Sequence, residues 1–169
     1  DVAVTGVQTC ALPIWVVAYS PSERTRERAM QLGVIQHAVD SAALAAQGSD
    51  LVLLAVPVSR SAECFEAIAA VLSPDCLLMD VGSTKTDVVQ AAEQHLGDRL
   101  PCFVPAHPIA GKAQAGVEHA EATLYEQRRT ILTPLSVTGT PQLQRAQQVW
   151  SCIGSHVSRM SPQQHDATF

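Results

Sequence analysis

Apolar and polar positions form two alternating kinds of block along the chain, and from Trp15 onward they predict strands and helices in turn. Unbroken apolar runs, of which residues 50–58 are the clearest, predict strands that are buried on both faces. Amphipathic blocks of about 10–15 residues predict helices between them. The predicted strands span 15–20, 34–39, 50–58, 76–82, 102–106, 128–135 and 156–160; the predicted helices span 22–33, 41–49, 61–72, 84–97 and 140–154, with loop and helix over 112–126. This order predicts an α/β fold with a doubly wound parallel sheet.

Two of the predicted helices carry clear boundary residues. Ser22 stands where an N-cap is expected, and Gly33 follows the same helix at the position that often adopts a left-handed conformation. Thr140 is predicted to cap the last long helix, with Pro141 in its first turn.

Composition restricts the function. The 169 residues suit one well-packed core. The net charge of −5 and the scattered basic residues do not predict a basic surface that would bind nucleic acid or an anionic membrane. No apolar run reaches the roughly 18 residues that cross a bilayer. We therefore expect neither nucleic acid nor a membrane as a partner, and the cysteine pattern favours a cytoplasmic protein. The five cysteines are odd in number and widely spaced, which favours reduced thiols, and no ligand spacing predicts a metal site.

The first fourteen residues do not follow the alternating pattern. Residues 4–14 can be back-translated into a nucleotide sequence that resembles a sequencing-library adapter. We interpret residues 1–14 as an assembly artefact and exclude them from the fold. The alternative is a genuine strand over 2–4 followed by a divergent loop. On the artefact reading, the first strand of the sheet and its glycine-rich phosphate-binding loop are damaged or missing.

Two short motifs each follow an apolar run that predicts a strand. DVGSTK covers residues 80–85, and AHPIAG covers residues 106–111. Ligands of open parallel sheets lie beyond the carboxyl ends of the strands, so the polar side chains in these motifs are candidates for an active site. His107 can accept a hydroxyl proton, and Ser83 can donate to the same oxygen.

Each motif also has a purely structural interpretation. His107 could be a satisfied structural histidine, and Ser83 or Thr84 could simply cap a helix beside a solvated Lys85. The amides at that helix start could also face an anion or a carbonyl. The remaining histidines are interpreted as surface residues; these are His37, His95, His119, His156 and His165.

Taken together, the motifs resemble the prephenate and arogenate dehydrogenase family of tyrosine biosynthesis. The segments that carry the resemblance are 55–58, 80–85, 107–120, 124–134 and 161–166. The resemblance implies a Rossmann-like domain over residues 15–160 that binds NAD or NADP. It also implies that residues 161–169 begin a helical domain, truncated here, that would form a homodimer and complete the substrate pocket.

The resemblance implies an oxidative decarboxylation in which the substrate ring gives a hydride to the nicotinamide. His107 and Ser83 would be catalytic, and Pro108 and Gly111 would join His107 in binding prephenate or arogenate. The cofactor-binding residues implied by the resemblance are Ser20, Arg24, Ala55, Val56, Pro57, Gly82, Ser83, Thr84 and Lys85.

Departures from the family pattern leave several questions open. Ala113 and Ala115 stand where the family often has polar residues, and Ser20 with nearby Arg24 leans slightly towards NADP. Because the glycine loop and the helical domain are both lacking, we expect residues 1–169 to have little or no activity. The rival hypotheses are a reductase related to 3-hydroxyacid dehydrogenases and a non-catalytic nucleotide-binding module. The sequence does not decide between prephenate and arogenate or reveal feedback inhibition.

Overall fold

A computed structural model describes residues 15–111 and 116–169. Its strands are β1 (Val17–Tyr19), β2 (His37–Val39), β3 (Leu51–Leu54), β4 (Leu77–Asp80), β5 (Phe103–Val104), β6 (Ala106–Pro108), β7 (Arg129–Leu132) and β8 (His156–Arg159). Its α-helices are α1 (Glu23–Gln31), α2 (Ala42–Ala46), α3 (Ser61–Ala69), α4 (Thr86–His95), α5 (Thr140–Cys152) and α6 (Pro162–Thr168). The predictions for residues 1–14, Ala113 and Ala115 lie outside the described residues.

The strands form three hydrogen-bonded groups, ordered β1-β2, β3-β4-β5 and β6-β7-β8. All of these pairings are parallel except that of β6 with β7, which is antiparallel. The α/β fold with helices between parallel strands is therefore confirmed. The expectation of a wholly parallel sheet is wrong at the pairing of β6 with β7.

The antiparallel pairing arises because the predicted strand 102–106 is broken. Residues Gly97–Cys102 form a 3₁₀ helix, and β5 holds only two residues. Pro105 lies between β5 and β6 and belongs to neither strand, and the next amide, of Ala106, donates to Oδ1 of Asp80 at 3.1 Å. His107 consequently lies inside β6, opposite Ile131, and not beyond a strand end.

Among the described residues, β1 is not hydrogen-bonded to β3. In the common doubly wound order 3-2-1-4-5-6, the first strand lies between the second and the fourth. If a first strand precedes β1, its place is between β1 and β3. The prediction that this strand is damaged or missing concerns residues outside those described and stays a prediction.

The core lies on both faces of β4, whose four residues are all buried. Leu78 packs with Phe65 and Phe103 on the side covered by α3 and α4. Leu77 and Met79 pack on the opposite side with Trp150 of α5. Alternate side chains of one strand thus enter two different cores, which is the packing of a sheet covered by helices on both faces.

Some predicted boundaries hold and others do not. The Ser22 side chain accepts from the amide of Thr25 at the start of α1, and Gly33 has a φ of +68°. The N-cap of α5 is Gly139, without a side-chain hydrogen bond, and so Thr140 is not its cap. From residue 116 to residue 128 the described chain forms turns and a 3₁₀ segment (Val117–His119) in place of the helix predicted within 112–126.

Two further properties concern the described part of the chain as a whole. None of its helices is long and apolar enough to cross a membrane. Its four cysteines are all free thiols: Cys76 and Cys102 are buried, Cys64 is partly buried and Cys152 is exposed.

Candidate active site

A buried ion pair joins the end of β4 to the start of β6. The ammonium of Lys85 lies 2.5 Å from Oδ2 of Asp80, and the side-chain exposures are 0% and 4%. Lys85 also donates to the carbonyl of Ala106 at 2.7 Å, while Asp80 accepts from the amide of Ala106. Lys85 and Asp80 therefore bind both the carbonyl and the amide of Ala106, and so they fix the backbone immediately before His107.

Lys85 is buried, so the interpretation of it as a solvated side chain is wrong, while its contact with the cofactor stays a prediction. Its ammonium is enclosed and already makes two hydrogen bonds. Burial lowers the pKa of Lys85, and Asp80 opposes that shift. Burial likewise raises the pKa of Asp80, while Lys85 and the amides of Gly82 and Ala106 oppose it. The function of Lys85 in this structure is to position the loop and strand around it.

Gly82 allows the chain to pass closely over this ion pair. Its amide donates to Oδ2 of Asp80 at 2.8 Å. A Cβ at residue 82 would lie 3.0 Å from that same oxygen and 3.0 Å from Cγ2 of Val58. Ser83 and Thr84 follow and are exposed. The tight contact explains why glycine suits residue 82.

The start of α4 is capped by a residue that is distant in the sequence. The helix begins at Thr86, and its N-cap residue, Lys85, makes no side-chain capping bond. The amides of Lys85 and Thr86 instead donate to the two carboxylate oxygens of Asp166, each at 2.8 Å. The interpretation of Ser83 or Thr84 as the cap is therefore wrong, and these two amides face a carboxylate of the same chain.

His107 is partly buried and linked to a second histidine. Its Nδ1 lies 2.8 Å from Nε2 of His165. Its other ring nitrogen, Nε2, has no hydrogen-bond partner within residues 15–111 and 116–169. Burial, together with the nearby His165 and Lys85, lowers the pKa of His107 to about 4. His107 is thus neutral at physiological pH and can accept a proton at Nε2.

His165 is a site residue that the sequence interpretation missed. The interpretation of His165 as a surface residue is wrong, because its side chain is completely buried. It lies on α6, whose Ser161 and Gln164 form a capping box. Phe169 stacks on the His165 ring, with centroids 5.3 Å apart. The signal that could have found His165 is the pair His165-Asp166 directly after a helix-capping pattern.

The predicted cofactor residues lie after three different strands. Ser20 follows β1 and is 4% exposed; its hydroxyl accepts from the amide of Ser22. Arg24 is exposed on α1. Ala55, Val56 and Pro57 follow β3, which pairs in parallel with β4, so they neighbour the Gly82–Thr84 turn. Carboxyl ends of parallel strands with an exposed hydroxyl and small apolar side chains fit the edge of a dinucleotide.

The substrate residues predicted beside His107 are in different environments. Pro108 is buried at the end of β6, whereas Gly111 is exposed. The hydrogen bond between Asp80 and Ala106 brings the turn that carries Ser83 and the strand that carries His107 to the same end of β4.

Among the described residues, no group of three or more His, Cys, Asp or Glu side chains is placed to hold a metal ion.

The family model described as "Prephenate dehydrogenase, nucleotide-binding domain" matches residues 10–159. A cyclohexadienyl dehydrogenase of Zymomonas mobilis is 32% identical over 153 residues, which cover 90% of this chain and 52% of that protein. A prephenate dehydrogenase of Bacillus subtilis is 32% identical over 152 residues, covering 89% of this chain and 41% of that protein.

A solved structure shows the same relationship. The prephenate dehydrogenase of Aquifex aeolicus, in complex with hydroxyphenyl propionate and NAD+, superposes with a TM-score of 0.85 at 33% identity. The superposition covers 94% of this chain and 55% of that one. This chain therefore spans about half the length of the relatives it matches. The match over most of its residues, in sequence and in fold, shows that the chain belongs to the prephenate dehydrogenase family, of which it contains the nucleotide-binding domain.

Proposed function

We propose that this chain is the cofactor-binding part of an NAD(P)-dependent dehydrogenase that oxidises and decarboxylates prephenate or arogenate. The observation that carries the proposal is His107, a neutral histidine with its Nε2 unpartnered among the described residues. The strand that carries it is hydrogen-bonded to the end of β4, and the turn with the exposed Ser83 follows that same end. The relatives support the reaction class, because those compared above are named prephenate or cyclohexadienyl dehydrogenases.

The chain's own residues would bind and orient the reactants. Ala55, Val56 and Pro57, together with Gly82, Ser83 and Thr84, would line the cofactor on one side, and the exposed Arg24 would lie towards a ribose phosphate. When bound, the nicotinamide supplies the hydride acceptor. Arg24 favours a 2′-phosphate, but Arg26 is already engaged by Asp40 and by the carbonyl of Ser20. The choice between NAD and NADP therefore rests on Arg24.

His107 would accept the proton of the substrate ring hydroxyl. The O–H bond breaks and an Nε2–H bond forms, while the electron pair left on oxygen becomes the carbonyl bond as the hydride departs. Ser83 would donate to the same oxygen and keep it in place. Loss of carbon dioxide would then return an electron pair to that oxygen as an aromatic phenolate, which would take the proton back from Nε2 of His107. The protein mainly has to align the reacting groups and accept one proton.

The half of the relatives' length that this chain does not span would complete the pocket. We propose that residues 161–169 lead into that part, that it forms a homodimer, and that the whole enzyme works in the cytoplasm. Turnover is accordingly proposed for the longer protein, and little or no turnover for residues 1–169 alone.

The test uses the 169-residue chain and a version extended from the parent locus at both ends. Each is assayed with prephenate and with arogenate, with NAD and with NADP, by the absorbance of the reduced cofactor. The extended protein should turn over at least one combination, and His107→Asn should lower its kcat by about 10²–10⁴-fold. The exposed His37 provides the matched control, because His37→Asn should leave the rate unchanged. No turnover with either substrate, or full activity of His107→Asn, would refute the proposal.

A further inference from the structure

Three side chains from two elements form a continuous hydrogen-bonded line that ends at His107. Oδ1 of Asp166 lies 2.7 Å from Nδ1 of His165, and Nε2 of His165 lies 2.8 Å from Nδ1 of His107. The two imidazole rings meet edge to face, with centroids 5.0 Å apart. Every nitrogen in this line except Nε2 of His107 faces another member of it.

Asp166 can only act as an acceptor in this line. The amides of Lys85 and Thr86 both donate to its carboxylate. Burial by itself raises the pKa of Asp166, but the hydrogen bonds from Thr86, His165 and Lys85 outweigh it and hold the pKa well below its usual range. The positive end of the α4 dipole acts in the same direction. An ionised carboxylate has no proton to give, so Nδ1 of His165 carries the hydrogen.

The hydrogen on Nδ1 of His165 determines which nitrogen of His107 is protonated. A neutral His165 with hydrogen on Nδ1 has a lone pair on Nε2, and so Nδ1 of His107 must be the donor across the 2.8 Å contact. His107 then holds its own lone pair on Nε2. The opposite order would place hydrogen on both nitrogens of the buried His165 ring, and the tautomer measurement below distinguishes the two orders.

We propose that Asp166 and His165 are positioning residues that hold His107 in the Nδ1–H tautomer and leave Nε2 as the proton acceptor. This inference rests on the proposed function for its catalytic meaning, because Nε2 is the nitrogen that would take the hydroxyl proton. When Nε2 accepts that proton, the new imidazolium keeps its Nδ1–H bond to His165. The carboxylate of Asp166, one residue further along the line, favours that charge.

The direct test is the tautomer of His107 in the 169-residue chain, read by long-range ¹H–¹⁵N correlation spectra of ¹⁵N-labelled histidine at neutral pH. The expected spectrum shows a protonated Nδ1 and an unprotonated Nε2 for both His107 and His165. His107→Gln and His165→Gln assign the two sets of signals. A His107 ring with hydrogen on Nε2 overturns the proposal.

The second experiment measures the tautomer of His107 in the variant Asp166→Asn. The asparagine oxygen in the place of Oδ2 can still accept from the amide of Thr86. Its NH₂ group, in the place of Oδ1, loses the bond from the Lys85 amide, donates towards Nδ1 of His165 and reverses both tautomers. Asp87→Asn is the matched control, because Asp87 is an exposed carboxylate in the first turn of the same helix. We expect the His107 tautomer to change in Asp166→Asn and to stay in Asp87→Asn. An unchanged tautomer in a folded Asp166→Asn variant overturns the proposal.

These readouts separate this inference from the proposed function. The tautomer is measured without cofactor or substrate, so absence of turnover in the extended protein would refute the proposed function and leave the tautomer assignment intact. If the extended protein is active, Asp166→Asn should lower kcat by about 10²-fold or more with a much smaller change in KM. An unchanged kcat would overturn the role of Asp166 as a positioning residue.

Discussion

The ammonium of Lys85 and the carboxylate of Asp80 lie 2.5 Å apart and together hold the amide and the carbonyl of Ala106. Through this contact, a helix start and a strand end fix the backbone that leads into His107. The pair therefore links the stability of the domain to the geometry of the candidate active site.

Removing one partner of this pair should strongly destabilise the fold. Lys85→Met leaves the Asp80 carboxylate buried without its cation, and such a loss costs about 3–5 kcal/mol. The free energy of unfolding from urea titration gives the measurement. The exposed pair of Arg60 and Glu63 is the control, since Arg60→Met should cost about 1 kcal/mol or less. Equal losses in the two variants would contradict the structural role of Lys85.

Gly82→Ala should destabilise the turn above the ion pair. The added methyl group would lie 3.0 Å from Oδ2 of Asp80, and that oxygen cannot retreat because Gly82 and Lys85 both hold it. Overpacking of this kind costs about 1–3 kcal/mol in the free energy of unfolding. Gly111→Ala is the control, because nothing lies within 4 Å of a Cβ at that residue. A Gly82→Ala variant as stable as Gly111→Ala would show that the turn has room to adjust.

The stability of the domain should fall as the pH falls from about 6.5 to about 4, with a measurable contribution from His107. Its pKa is lowered from 6.5 to about 4 in the folded state, chiefly by burial. Within this window the unfolded state binds a proton that the folded state does not, so the free energy of unfolding rises with pH. Below the folded pKa both states are protonated and this contribution no longer changes.

The measurement is the pH dependence of urea unfolding in the wild type and in His107→Gln. The slope between pH 4 and pH 6.5 should be smaller in the variant, because one proton-linked group has been removed. His37→Gln, which alters an exposed histidine, should keep the wild-type slope. If His107→Gln also keeps that slope, His107 is not neutral in the folded state over this range.

The cysteines should differ in reactivity according to their burial. Burial and the neighbouring Cys102 raise the pKa of Cys76 to about 11, so little of the reactive thiolate is present near neutral pH. Cys152 is exposed on the last turn of α5. Alkylation at pH 8 followed by peptide mass spectrometry should label Cys152 first and Cys76 only in denaturant. Labelling of Cys76 at the rate of Cys152 would show that the core around Cys76 opens readily.

Much of the architecture follows from local patterns in the sequence. The unbroken apolar run around β4 predicts a strand buried on both faces, because neither face carries side chains that water would solvate, and the structure buries all four residues. Ser22 and Gly33 determine the ends of α1 through their own backbone preferences. The chemistry of Ser83 and His107 could be proposed for a similar reason, since both follow such runs in the sequence.

Other features depend on contacts between residues that are far apart in the sequence. The break at Pro105 depends on a hydrogen bond between Asp80 and Ala106, and the cap of α4 comes from Asp166, about 80 residues later. No period or motif encodes such pairings, so Thr84 could be mistaken for a cap and Lys85 for a solvated side chain.

Local sequence patterns thus suffice to predict the class of fold, the order of its elements and the two motifs that carry the chemistry, because these depend on the side chains of neighbouring residues. The antiparallel pairing of β6, the burial of Lys85 and the contact of His165 with His107 depend instead on the folded chain. Each of these requires a polar group to find its partner after the chain has folded, since a buried donor or acceptor without a partner is costly.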